Sequence, residues 1–166
     1  MKTKDDLKEA FAGESQANRR YTAFAKKADE EGYSQVAKLF RAAAAAETVH
    51  ALSHLEALGD VKSTKENLQG AIEGETHEFS KMYPAMIKDA EEEGDDEAMI
   101  SFTRANKVEE VHAGLYEKAL EAVKDGADLK KKDIYVCSVC GNTVEEEAPD
   151  ICPICGAKKE KFDKVE

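Results

Sequence analysis

The feature that most constrains this 166-residue sequence is a Glu-x-x-His motif that occurs twice, as Glu47 to His50 and as Glu109 to His112. Side chains three residues apart on an α-helix lie on one face, about one turn from each other. Each copy therefore presents a carboxylate and an imidazole in the same direction. The repeated motif predicts two helices that direct metal-ligand side chains towards one site.

Two other stretches match each other, Gly13-Glu14-Ser15 and Gly74-Glu75-Thr76. One glutamate from each of two helices, together with a Glu-x-x-His motif from each of two others, is the ligand set of a carboxylate-bridged di-iron site in a four-helix bundle. The four stretches together therefore predict a di-iron four-helix bundle.

Apolar residues at helical spacing predict four helices, each of which carries one of these stretches on its apolar face. Thr3 and Ser34 are expected to cap the first two helices. A capping box of Ser63 and Glu66 is expected to begin the third. Pro84 should kink that helix or remove one of its backbone hydrogen bonds. The expected breaks are Gly32, residues 59–63, Gly94 and residues 125–126.

The run Ala42–Ala46 in the second predicted helix has two interpretations. It provides strong helix propensity, or its small side chains allow a neighbouring helix to approach closely. The sequence alone leaves both open.

The two halves of the predicted bundle repeat each other. Gly32 precedes Glu47 by fifteen residues, and Gly94 precedes Glu109 by fifteen. The two ligand glutamates are 33 positions apart in the first half and 34 positions apart in the second. Two helical hairpins are therefore expected to present the same ligands at matching heights.

The side chains on these apolar faces carry more charge than a protein interior tolerates. Burial of several ionised carboxylates without partners is prohibitive, so cations must be present. Mixed carboxylate and imidazole ligation suits iron or manganese better than calcium. Glu78 adds a carboxylate, because its counterpart in the first half is Ala17. The predicted ligands are Glu14, Glu47, His50, Glu75, Glu78, Glu109 and His112.

Four other side chains lie close to these ligands in the sequence. His54 follows His50 by one turn and either supports the ligands or packs in the interior. His77 is expected at the surface. Tyr21 and Tyr83 could each donate a hydroxyl hydrogen bond to a ligand carboxylate, or could be ordinary core residues. Spacing alone does not decide between these roles.

The last part of the chain contains two Cys-x-x-Cys motifs, each followed by glycine and separated by eleven residues. Such a pair predicts a tetrahedral site of four thiolates, in which the glycines form tight turns that direct backbone N–H groups at sulfur. The spacing suits a structural zinc or a single redox iron, and recombinant expression could load zinc. The predicted ligands are Cys137, Cys140, Cys152 and Cys155.

Composition excludes several other classes of protein. The formal net charge of −11 argues against nucleic acid as a partner, because phosphate binding needs a basic surface. No apolar run approaches the roughly 20 residues of a membrane span, and the first residues lack the apolar segment of a secretory signal. We therefore expect a cytoplasmic protein, in which clustered cysteines bind metal rather than form disulfides.

At these residues the sequence resembles the rubrerythrin family. The resemblance covers nearly the whole chain and implies a mainly α fold, a ferritin-like four-helix bundle with two irons, followed by a small rubredoxin-like domain with one iron in a four-cysteine site. We expect the bundle at residues 1–126, a linker at 127–133 and the rubredoxin-like domain at 134–166. The matching stretches are Ala10–Ala17, both Glu-x-x-His motifs, Gly74-Glu75-x-x-Glu78, Met82-Tyr83-Pro84 and the cysteine-rich end.

The resemblance also implies an activity. A non-haem di-iron peroxidase would reduce hydrogen peroxide to water with electrons from NADH or NADPH. A reductase or a rubredoxin would donate them, and the iron of the four-cysteine site would relay them. Tyr21 and Tyr83 would hydrogen-bond to site carboxylates. The alternatives are a ferritin-like ferroxidase or iron-handling protein, and a structural protein with a zinc ribbon.

Glu78 is hypothesised to ligate iron in the diferric state and His50 to replace it in the diferrous state, because Fe(III) gains more from an anionic ligand; crystals in both oxidation states would test this. Asn142-Thr143 follows the first cysteine motif, where an aromatic residue is common. This departure leaves the metal ligands intact and concerns the packing around them.

The connection between the second and third helices bears on assembly. In a ferritin-like bundle these helices run parallel, so the chain from Leu58 to Thr64 must climb roughly 33 Å for Glu47 and Glu75 to meet one metal pair. Residues 59–63 reach only about 20 Å when fully extended. The chain is therefore an up-down-up-down bundle or a homodimer that exchanges hairpins. The family resemblance favours a domain-swapped dimer with two mixed sites.

Overall fold

The computed structural model describes residues 2–166, which form two units. The first unit ends at Lys62 and is a hairpin of α1 (Lys2–Glu30) and α2 (Ser34–Leu58). Within residues 2–166, none of the helices is both long enough and apolar enough to cross a membrane. The second unit, Ser63–Glu166, contains α3 (Thr64–His77), a π-helical segment (Glu78–Met82), α4 (Tyr83–Glu93), α5 (Asp96–Lys124) and a small β-sheet.

The predicted breaks between helices are confirmed, and two of the predicted caps are wrong. Thr3 lies inside α1, which begins at Lys2. Ser34 is the first residue of α2, and the preceding Tyr33 makes no side-chain capping bond. The backbone N–H of Tyr33 donates to Ala28 O at 2.8 Å, so the backbone alone closes α1 and leads directly into α2.

The capping box predicted for the third helix is confirmed. The Ser63 hydroxyl accepts from the backbone N–H of Glu66, and the Glu66 carboxylate accepts from the backbone N–H of Ser63, which completes the capping box. At the start of α5, the Asp95 carboxylate accepts from the backbone N–H of Ala98 at 2.9 Å. These bonds fix where α3 and α5 begin, and hence the heights of the glutamates that they carry.

Small side chains bring α1 and α2 close together. The Asn18 side-chain amide donates to the backbone carbonyl of Ala44 at 2.6 Å and to Thr48 Oγ1 at 2.7 Å. A side chain of one helix reaches the backbone carbonyl of another only where the helices approach closely. The second interpretation of the alanine run therefore holds at its centre. The buried alanines of α2 recur every seven residues, at Ala37, Ala44 and Ala51.

The irregularity predicted at Pro84 takes the form of the π-helical segment that precedes it. The backbone N–H of Tyr83 donates to Glu78 O, one residue further back than in an α-helix. Pro84 then is the second residue of α4 and directly follows the π turn. The wider π turn holds one extra residue, which accounts for the 34-residue spacing in the second half against 33 in the first.

A three-stranded antiparallel sheet ends the second unit, with strand order β2-β1-β3. The strands are β1 (Ile134–Cys137), β2 (Thr143–Glu145) and β3 (Phe162–Lys164). Its small core contains two of the four cysteines. A core of this size stabilises little by apolar burial alone, so a bound metal would contribute much of the folding free energy. The buried core residues are Cys137, Ala148, Cys152 and Phe162.

We expect the substitution Ala44→Leu to lower the free energy of unfolding by about 1–3 kcal/mol, because α1 leaves no room for the larger side chain. Ala45→Leu is the matched control, since Ala45 is exposed, and should change stability by no more than about 0.5 kcal/mol. Urea denaturation of both variants measures the difference. Equal effects of the two substitutions would contradict close packing at Ala44.

Candidate metal centres

The first unit brings three predicted ligands together. Donor atoms of Glu14 on α1 and of Glu47 and His50 on α2 all lie within 4.8 Å of one another. His50 Nδ1 is 2.9 Å from Glu47 Oε2. The Glu47 side chain is 18% exposed and that of His50 is 56% exposed. The hairpin therefore presents these three side chains as one group, with the imidazole at its open side.

The second unit contains the equivalent group. Donor atoms of Glu75 on α3 and of Glu109 and His112 on α5 also lie within 4.8 Å of one another. His112 Nδ1 is 2.7 Å from Glu109 Oε2 and 3.8 Å from Glu75 Oε1. The predicted repeat is thus visible in the structure, since each unit supplies one glutamate and one Glu-x-x-His pair at matching positions.

The electrostatics of the second group favour a bound cation. Burial raises the pKa of Glu75, and the negative charges of Glu109 and Glu78 raise it further. His112 acts in the opposite direction. Carboxylates that repel one another in a partly buried position are stabilised when a cation lies between them. Carboxylate oxygen and imidazole nitrogen together are donors that iron and manganese accept.

Glu78 lies beside the second group and outside it. Among residues 2–166, the group of donor atoms within 4.8 Å does not include Glu78, but its charge raises the pKa of both Glu75 and Tyr83. Glu78 is the first residue of the π-helical segment, so the direction of its side chain depends on that segment. The sequence predicted Glu78 as an added carboxylate but did not predict the π turn. The signal for that turn was the extra residue in the second half, where the ligand glutamates are 34 positions apart against 33 in the first.

The two tyrosines occupy different surroundings. Tyr21 packs with Phe24 and Phe40, at ring-centroid distances of 6.3 and 6.2 Å. The pKa of Tyr83 is raised, first by burial and then by the negative charges of three glutamates. The Tyr83 phenol therefore lies near these carboxylates. Within residues 2–166, neither hydroxyl donates to a ligand carboxylate. Their predicted hydrogen bonds to the site therefore stay predictions.

The two remaining histidines lie outside both groups. His77 is exposed on α3, where the sequence placed it. His54 is half-buried on α2, one turn beyond His50. The structure shows no metal-ligand group that contains either residue in the described chain.

The four cysteines form a third group, with all sulfur atoms within 4.8 Å of one another and no disulfide among them. Cys137 Sγ is 3.7 Å from Cys155 Sγ, and Cys140 Sγ is 3.7 Å from Cys152 Sγ. Metal–sulfur bonds of about 2.3 Å in a tetrahedron give sulfur–sulfur distances of about 3.8 Å. The group therefore fits a tetrahedrally coordinated ion.

The turns after each cysteine pair are built alike, as predicted. Gly141 and Gly156 adopt φ values of 86° and 74°, a region that favours glycine. Each glycine N–H donates to the carbonyl of the first cysteine in its motif, at 2.8 and 2.9 Å. Burial tends to raise the pKa of Cys152, but backbone N–H groups of Cys155 and Ile154 lower it to about 7. At Cys152 the backbone N–H groups thus favour the thiolate, the form that binds a metal. Burial raises the pKa of Cys140 and of Cys155.

Two residues with contacts to these groups escaped the sequence analysis. Asn142 is buried, and its side-chain amide donates to Cys152 Sγ at 3.8 Å. The Thr143 hydroxyl lies 3.0 Å from His112 Nε2. The sequence indicated only that Asn142 and Thr143 stand where an aromatic residue is common. Their bonding partners are distant in sequence, and no spacing rule connects them.

Comparison with known proteins agrees with these groups. Residues 5–120 match the family model for rubrerythrin, and residues 135–163 match the model for the rubrerythrin rubredoxin-like domain. The chain is 37% identical to rubrerythrin-2 of Clostridium acetobutylicum, over 96% of this chain and 95% of that protein. It is 39% identical to nigerythrin of Nitratidesulfovibrio vulgaris, over 96% and 85% of the two chains.

A solved structure shows the same similarity. The structure of nigerythrin in its fully reduced, all-ferrous state aligns with 98% of this chain and with 86% of the nigerythrin chain. The sequence identity is 37% and the TM-score is 0.59. The predicted ferritin-like bundle with a rubredoxin-like domain is therefore confirmed. So are the predicted cofactor sites, one for a di-iron pair and one for a single iron in four thiolates.

We expect Glu109→Ala to remove metal from the carboxylate–histidine site and to leave the four-cysteine site filled. Cys152→Ser should do the reverse, because no ligand is shared between the two sites. Glu110→Ala is the matched control, since this neighbour is exposed and lies outside the group. Metal analysis of the purified variants measures the occupancy. Normal iron in the bundle of Glu109→Ala would remove this residue from the ligand set.

Proposed function

The chain belongs to the rubrerythrin family, and we propose that it is a non-haem di-iron peroxidase that reduces hydrogen peroxide to water. The observation that supports this most is the combination, in one chain, of two carboxylate–histidine groups and a four-cysteine group. A storage protein needs the first kind of group alone. A group that carries single electrons is useful where the di-iron pair must be reduced again after each turnover.

The proposed reaction consumes one hydrogen peroxide, two electrons and two protons, and forms two waters. When bound, the iron pair supplies both electrons to the O–O bond, and the iron in the four thiolates passes single electrons on to the pair. An NAD(P)H-dependent reductase or a rubredoxin is the proposed donor. The side chains proposed to hold the pair are Glu14, Glu47, His50, Glu75, Glu78, Glu109 and His112.

Two side chains near the second group have further proposed roles. Burial and the surrounding carboxylates raise the pKa of Tyr83, so its phenol stays protonated and remains a hydrogen-bond donor. Glu78 is proposed to exchange with His50 as a ligand between oxidation states. Tyr21 is proposed as the donor equivalent to Tyr83.

We also propose the limits of the domains and their location. The bundle comprises residues 1–126 and the rubredoxin-like domain residues 134–166, joined by a linker at 127–133. The end of α5 at Lys124 and the start of β1 at Ile134 support these limits. Four cysteines without disulfides are consistent with the cytoplasm, where thiols stay reduced.

The active form is proposed to be a domain-swapped homodimer. Each unit by itself brings only three of the seven proposed ligands together. Apolar side chains of α2 on the side of its ligands remain open, and Leu39 is 69% exposed. The connection between α2 and α3 has only five residues, which is too short for the long crossover that a ferritin-like bundle would need within one chain. The second unit of a partner chain, which carries Glu75, Glu78, Glu109 and His112, would cover this face and complete the site.

Steady-state consumption of hydrogen peroxide tests the function, with NADH and a rubredoxin-reducing system as donor. We expect turnover by the iron-loaded protein. Cys152→Ser should oxidise once after chemical reduction but should not turn over, because its external electrons no longer reach the pair. Undiminished turnover by this variant would show that the four-cysteine site is no relay. Ferrous oxidation by dioxygen without peroxide turnover would favour the ferroxidase alternative.

Co-expression of two damaged chains tests the swap. One chain carries Glu14→Ala and Glu47→Ala, and the other carries Glu75→Ala and Glu109→Ala. In a swapped heterodimer one site collects all four substitutions and the other stays intact, so about half of the wild-type activity should return. Each homodimer is the inactive control. An active monomer, or no rescue in verified heterodimers, would contradict the exchange.

A further inference from the structure

The two cysteine motifs share the same backbone hydrogen bonds. In the first motif, the backbone N–H of Asn142 donates to the Cys140 thiol, and the Asn142 carbonyl accepts from the backbone N–H of Cys137 at 2.9 Å. In the second motif, the backbone of Ala157 makes the same two bonds, to the second cysteine and from the first, the latter at 2.7 Å. Asn142 and Ala157 therefore occupy equivalent positions, each directly after the glycine of its motif.

The side chain at this position distinguishes the two motifs. Ala157 has no side-chain donor, whereas the Asn142 amide carries N–H groups. This amide donates to Cys152 Sγ at 3.8 Å, so its hydrogen bond crosses from the first motif to the first cysteine of the second. Through its backbone and its side chain together, Asn142 bonds to three of the four cysteines. The equivalent bond to Cys137 cannot form, because Ala157 cannot supply it.

Burial protects this bond from competition with water. Asn142 is 2% exposed and Cys152 is 1% exposed. A buried amide that loses its acceptor has no water to replace it, so the loss of this bond is costly. The low local dielectric constant also strengthens the attraction between the amide N–H and a negatively charged sulfur. Burial therefore holds the Asn142 amide in the position from which it bonds to Cys152.

A hydrogen bond to a ligand sulfur affects the redox chemistry of the iron that the four cysteines hold. Reduction from ferric to ferrous adds one negative charge to the site, and the sulfur atoms carry part of that charge. An N–H group directed at sulfur therefore stabilises the ferrous state more than the ferric state. Hydrogen bonds to sulfur are among the factors that set the reduction potentials of iron–sulfur sites. Partners of the ligands also fix the orientation of the ligands themselves.

We propose that Asn142 is a positioning residue of the four-cysteine site, which holds Cys152 against the first motif and raises the reduction potential of the bound iron. In the reduction, the ferric ion gains one electron from an external one-electron donor and becomes ferrous, and no bond forms or breaks. The inference rests on the four-thiolate site and is independent of the substrate that the bundle reduces. The bond makes the two motifs, which are alike in their backbone, unequal in their effect on the iron.

Cadmium provides a readout of the bond that needs neither iron nor peroxide. In the full chain labelled with ¹⁵N and loaded with ¹¹³Cd, a hydrogen bond to a metal-bound sulfur transmits scalar coupling between the metal and the donor proton. We expect such a coupling at an Asn142 side-chain amide proton, in addition to couplings at backbone amides. Asn142→Leu removes the amide and keeps a similar shape, so the side-chain coupling should disappear while the backbone couplings persist. Asn142→Ala, which makes this position equivalent to Ala157, should give the same result.

The reduction potential of the iron-loaded full chain measures the consequence. We expect both Asn142 variants to lower the equilibrium constant for reduction roughly threefold to tenfold, which is a fall in potential of about 30–60 mV at about 59 mV per factor of ten. A spectroelectrochemical titration of the visible absorption of the four-thiolate iron measures this shift. Ser138→Ala is the matched control, because its hydroxyl donates to Lys161 O in the same domain rather than to a sulfur. This variant should keep the wild-type potential.

The outcomes separate this inference from the proposed function. A wild-type protein without coupling to the Asn142 side chain would overturn the bond, and an unchanged potential in both Asn142 variants would overturn its effect on the iron. An equal fall in Ser138→Ala would also overturn it, because any loosening of the domain would then have the same effect. A selective fall in the Asn142 variants would uphold the inference even if the protein consumes no peroxide, in which case only the proposed substrate fails.

Discussion

Mutual repulsion between partly buried carboxylates is the constraint on which the helical part of this protein depends. Apolar helix faces drive burial, and the glutamates on those faces oppose it. In the second unit the result is visible as a raised pKa of Glu75, caused first by burial and then by its neighbours. A bound metal ion would stabilise the same carboxylates, because its positive charge attracts each of them as a ligand. Folding and metal binding in the bundle are therefore coupled.

How much of this could be predicted from the sequence depends on the range of the interaction. The Glu-x-x-His pairs, the capping box of Ser63 and Glu66, and the glycine turns after the cysteines are local, and helix geometry or turn geometry predicted each correctly. Contacts between distant elements were not predictable in this way. The bond from Asn18 to the carbonyl of Ala44 spans 26 residues, and the bond from His112 to Thr143 spans 31. No periodicity connects such pairs, so only the fold reveals them.

The π-helical segment lies between these two cases. The sequence shows that the spacing between the two ligand glutamates is one residue longer in the second half than in the first. It does not show how the helix accommodates the extra residue. A π turn confines it to Glu78–Met82, so the α-helical phase on either side is kept. Glu75, which precedes the segment, can then occupy the position equivalent to that of Glu14. Glu78 is the first residue of the segment, and its counterpart in the first half is Ala17, which has no carboxylate to orient. The insertion and the added carboxylate are consequently one structural change rather than two.

The sequence position that departed from the family pattern connects the two sites. Where an aromatic residue is common, this chain has Asn142 and Thr143, and each side chain bonds to a proposed ligand: Asn142 to a cysteine sulfur and Thr143 to an imidazole. An aromatic ring such as phenylalanine would offer no hydroxyl to His112 Nε2. The contact of the rubredoxin-like domain with α5 therefore depends here on directed hydrogen bonds as well as on apolar packing. Directed hydrogen bonds fix the distance between the bonded groups more narrowly than apolar packing does.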